Sequence, residues 1–79
     1  MPSKLSNRYA KGLLALGYVR QRGRPRHRAF INQSADVMRY VWLGNAGAVL
    51  FCPVNRVEWS VRASREFRAQ LLAAADAQP

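Results

Sequence analysis

Arginine occupies every second position from Arg20 through Arg22, Arg24 and Arg26 to Arg28. A guanidinium is a planar fork that donates two parallel hydrogen bonds to a phosphate and stays charged at any physiological pH. In extended chain alternate residues point the same way, so a fully extended segment would line all five groups along one edge. The chemistry this comb offers is the binding of a polyanion, with release of condensed counterions as the driving force. Lys4, Arg8 and Lys11 recur at steps of four and three, and in a helix they form a second basic row. Tyr18 and Phe30 flank the comb as candidate stacking rings, although a buried Phe is the usual case and Phe30 reads as core. His27 stands among the arginines, whose charge disfavours its protonated form. An imidazole can act as acid or base in RNA cleavage, but no acidic partner lies near it in sequence. Cys52 sits in an apolar run before Pro53 and reads as a buried small hydrophobe.

Other chemistries are excluded by what is missing. There is one Cys and one His, too few for a structural zinc site or an internal disulfide. With four acids in the chain, two-metal catalysis is not expected, and no phosphate-cradling glycine loop or nucleophile motif is found. The sequence therefore implies no catalytic residue, no metal and no cofactor.

The charge distribution sharpens the reading. Thirteen Lys and Arg against four Asp and Glu give a net charge of +9. Residues 1–35 hold eight of the cations and no acid, and residues 36–79 hold five cations and all four acids. Such a one-signed field costs self-repulsion and is usually kept for a partner. The C-terminal arginines 62, 65 and 68 either extend this surface or pair with Glu58 and Glu66.

The elements that must position these groups fit one domain over residues 1–79. Ser3 or Ser6 caps a first helix, Leu5, Tyr9, Leu13 and Leu16 make its apolar face, and Gly17 ends it. Gly23 and Pro25 break any continuous strand, so the comb folds into a hairpin, roughly 18–22 and 26–32. A polar turn at 32–36 leads to a strand over 37–43. The sequence Gly44–Asn45–Ala46–Gly47 is a tight turn. Ala48 to Cys52 reads as a central strand covered on both faces. Alternation at Val57, Trp59 and Val61 suggests a short edge strand. Trp42 and Trp59 read as core or half-buried sheet residues. Ser64 caps a last helix whose face is Phe67, Leu71, Ala74 and Ala75. The expected fold is α+β, a small antiparallel sheet of three to four strands with an N-terminal and a C-terminal helix on one face. No run reaches the roughly 20 apolar residues of a membrane span, and a cytoplasmic location is expected.

The stretch Leu13–Leu14, Gly17–Tyr18–Val19–Arg20–Gln21–Arg22–Gly23, His27 and Phe30 resembles the start of HicA-type toxins. That resemblance implies a double-stranded-RNA-binding-like α–β–β–β–α fold, mRNA cleavage and a catalytic role for His27. The chain departs from the family's Gly-Ser-His: Arg24–Pro25–Arg26 intervene between Gly23 and His27, and no Ser precedes the His. The leading expectation is a nucleic-acid-binding protein, DNA or RNA, contacting phosphates through Lys4, Arg8, Lys11, Tyr18, Arg20, Arg22, Arg24, Arg26, His27 and Arg28. The alternative is a small phage- or plasmid-type inhibitor or accessory protein whose basic face docks on an acidic protein surface. The third is a HicA-like ribonuclease.

Overall fold

Ser3 begins the first helix by accepting a hydrogen bond from the Ser6 amide at 3.1 Å. The computed structural model describes residues 1–21, 27–53 and 59–78, and of residue 27 the backbone alone. Helix α1 runs Lys4–Ala15. It ends in a paired motif in which Tyr18 N–H donates to Leu13 O and Gly17 N–H to Leu14 O. Gly17 has a φ of +96°, the left-handed conformation that this ending requires.

The apolar face of α1 is rotated from the expected one. Ser6, Tyr9, Ala10, Gly12 and Leu13 are buried, while Leu5 and Leu16 are exposed. The cause is Gly12: a Cβ there would lie 2.0 Å from the carbonyl oxygen of Leu71, so the absent side chain lets α1 meet the second helix at backbone contact. That second helix, α2, spans Arg65–Asp76 and is capped by Ser64, whose hydroxyl accepts from Phe67 N–H. Its buried side carries Leu71 and Ala75, with Phe67 and Ala74 half-buried, as the sequence implies.

Between the helices runs a five-stranded antiparallel meander, ordered β1-β2-β3-β4-β5. The strands are β1 (Val19–Gln21), β2 (His27–Ile31), β3 (Tyr40–Gly44), β4 (Val49–Phe51) and β5 (Val61–Arg62). The fold is thus α+β with both helices on one sheet face. The core joins Tyr9, Leu13 and Leu71 of the helices to Phe30, Val41, Leu43 and Val49 of the sheet. Val19 pairs Ile31, Phe30 pairs Val41, and Leu43 pairs Val49.

Three expectations need correction. The strand expected over 37–43 begins only at Tyr40, because the preceding residues close a loop: Asn32 N–H donates to Arg39 O, Asn32 Oδ1 accepts from Ser34 N–H, and Val37 is exposed. Strand β4 is not covered on both faces. Leu50, on the side away from the helices, is half-buried, and no described helix packs there. Trp59 is exposed rather than half-buried, and the edge strand is Val61–Arg62, with residues 54–58 outside the described set. The turn after β3 is as expected, with Gly44 N–H donating to Ala48 O and Gly47 at a φ of +107°. Cys52 is buried. Among the described residues no helix is long and apolar enough to cross a membrane.

Gly12→Ala tests the helix contact. Overpacking typically costs about 1–3 kcal/mol, which in a domain this small lowers the thermal midpoint by about 4–8 °C per kcal/mol. An unchanged midpoint would show that the helices do not meet at backbone distance.

Candidate nucleic-acid interface

The hairpin register decides where the comb points. Arg20 lies opposite Phe30, and opposite residues of an antiparallel pair share a face. Phe30 is core, so Arg20 leaves the sheet on the helix side. Arg28, two residues before Phe30 on β2, leaves on that side too. One arginine from each arm of the hairpin therefore stands on the same face. Arg22, Arg24 and Arg26 lie outside the described residues. His27 opens β2 with its Cα paired to Gly44.

Arg28 is held in place. Its Nη2 donates to Ser6 Oγ at 2.5 Å, and Ser6 Oγ donates in turn to the Gly44 carbonyl at 2.8 Å. Ser6 is fully buried in the first turns of α1. Arg28 Nε is buried with no hydrogen-bond partner among the described residues. Burial, and then the charge of Arg20, lower the Arg28 pKa from its ordinary value. An arginine remains protonated at neutral pH even so. Two guanidinium groups are thus kept in each other's field, and no described carboxylate pairs with either.

Lys4, Arg8 and Lys11 are exposed on α1, turned away from its buried side. Arg8 differs from its neighbours. Its Nη2 makes a two-oxygen contact with Asp76 of α2, at 3.1 and 3.0 Å. Both side chains are about half exposed or more, so the pair contributes little to stability, about 0–1 kcal/mol. With no acid in its first turn, α1 also directs the positive end of its dipole toward Arg28 and Lys4.

Tyr18 does not belong to a binding surface. It is buried, its hydroxyl donates a short hydrogen bond to the Met38 carbonyl, and its ring meets Phe67 edge-on at 6.5 Å. The turn after Gly17 directs it under the helices, so it cannot stack a base. Phe30 is core as expected. Ser6 was legible only as a possible cap. A signal did exist, since a serine one turn from Tyr9 and Leu13 occupies a core position and must find a partner. Among the described residues no group of His, Cys, Asp and Glu could hold a metal ion. Comparison with protein-family models, with curated proteins and with solved structures finds nothing that matches this chain.

Burial of Tyr18 raises the pKa of its phenol above the usual value. Its stabilising effect is therefore complete below about pH 10, the ordinary phenol range, and is lost as pH rises through the folded value. Alkaline unfolding followed by circular dichroism should set in at higher pH in Tyr18→Phe than in the wild type, once the lower neutral-pH stability of the variant is subtracted. Coincident corrected curves would show that Tyr18 is not the titrating group.

Proposed function

We propose that this protein binds nucleic acid through the phosphate backbone, using the outer face of α1 and the helix-side face of the β1–β2 hairpin. The observation that carries the reading is the Arg20–Arg28 pair. Bringing two like charges together, one of them partly desolvated, costs free energy. An anion seated between them relieves that cost, and a phosphate matches the guanidinium fork. Lys4 and Lys11 extend the same field along α1. Arg8 joins when a phosphate displaces Asp76, an exchange that the weak exposed pair permits. Contacts of this kind position a protein without reading bases, so sequence preference is weak and salt dependence steep.

A second reading rests on Leu14, Leu16 and Val19, which are 55%, 42% and 64% exposed beside Arg20. Apolar side chains edged by cations suit an acidic protein surface better than a phosphate backbone.

Fluorescence anisotropy with labelled duplex and single-stranded DNA and RNA over a salt series separates the two. The test variant is Lys4→Ala/Lys11→Ala/Arg20→Ala, which leaves the Ser6–Arg28 seat intact. The expected result is a linear log–log plot whose slope falls by about 0.9 for each duplex phosphate contact removed. A wild type that binds no nucleic acid at low salt, yet binds one acidic protein stoichiometrically in high salt, would overturn the reading in favour of the second.

A further inference from the structure

We infer that the edge formed by β5 and the start of α2 is a second phosphate-binding surface, so that one molecule joins two segments of nucleic acid. This rests on the reading proposed above and adds a valency to it. Arg62, Arg65 and Arg68 fall within seven consecutive residues, on β5 and the first turn of α2. From sequence these arginines either extend the basic surface or pair with Glu58 and Glu66. Glu66 lies among the three, and the described residues contain no ion pair between it and any of them, while Glu58 lies outside the described residues. Arg62 and Arg65 are exposed, and Arg68 is partly buried, with its Nε enclosed and unpaired among the described residues. Arg65 and Arg68, three apart on a helix, share a flank. Both stand in the first turn of α2, where cations oppose the helix dipole and an added anion is stabilised.

The position of this cluster makes it a separate site. Strand β5 is the edge opposite β1, four interstrand steps away, or about 19 Å at 4.8 Å per step. At this edge the cations lie on both sides of the sheet: Arg62, opposite Leu50, on the face away from the helices, and Arg65 and Arg68 on α2 on the other. A straight segment bound along α1 and the hairpin does not follow the chain round to Arg62. A second segment can.

The test is a sandwich capture. One duplex is fixed to beads, the purified full chain is added, and a second, dye-labelled duplex is then offered. The variant is Arg62→Ala/Arg65→Ala, both exposed positions, with its circular dichroism melt checked against the wild type. The wild type is expected to retain the dye. The variant is expected to bind a single duplex with an unchanged salt slope, because its α1 and hairpin contacts are intact, and to retain dye only at background. Capture by the variant equal to that of the wild type overturns the inference, since bridging would then come from another surface or from self-association. A wild type that binds one duplex but captures no second overturns it too, and leaves the proposed function standing. A wild type that binds neither duplex overturns the proposed function itself.

Discussion

A single buried hydroxyl holds the candidate interface together. Ser6 donates to the Gly44 carbonyl and accepts from Arg28, so one oxygen ties α1, strand β2 and the end of β3. Around it, Ser3 N–H donates to Asn45 O, and Leu5 lies over Gly47 where a Cβ would come within 2.9 Å. The first turn of the helix is thereby seated on the β3–β4 turn. A buried polar group without its partner costs about 1–3 kcal/mol, so this seat resists sliding in any direction. Arg28 is confined as a consequence, and Arg20 is brought beside it by the strand register. The charge geometry at the hairpin thus follows from a packing requirement of α1.

The same economy governs the rest of the small core. The chain has no disulfide framework and few residues to bury, so backbone approach replaces side-chain bulk where α1 meets α2 at Gly12. The net charge works against this compact state through self-repulsion. The one ion pair among the described residues, Arg8–Asp76, is exposed and offsets little of that. A polyanion that engages the cations would stabilise the folded chain by mass action, and stability and binding are in this way linked.

Much of the fold is written in local pattern. Both serine caps, the Gly17 ending, the Asn45–Ala46–Gly47 turn and the face of α2 are short-range devices whose residues carry their own instructions. What was not legible depended on distant partners. The face of α1 turned because Gly12 meets Leu71, a contact spanning most of the chain. Tyr18 read as a ring beside the comb, yet the left-handed turn at Gly17 sends it into the core. The comb read as a hairpin, but the sheet face from which its arginines leave did not. In the sheet, pairing Arg20 with Phe30 assigns Arg20 and Arg28 to the helix side, a fact of register that composition cannot supply. The fate of the C-terminal arginines likewise turned on whether nearby acids would pair with them; among the described residues no such pair forms with Glu66, and Glu58 lies outside them.

The central claim is that phosphates seat on the outer face of α1 and the helix side of the hairpin. Amide resonances of the uniformly labelled protein, followed while a short DNA duplex is titrated in at low salt, test it residue by residue. The account predicts shifts at Lys4, Arg8, Lys11, Arg20 and Arg28. Resonances that stay still at those positions while others move, or that do not move anywhere, would contradict it.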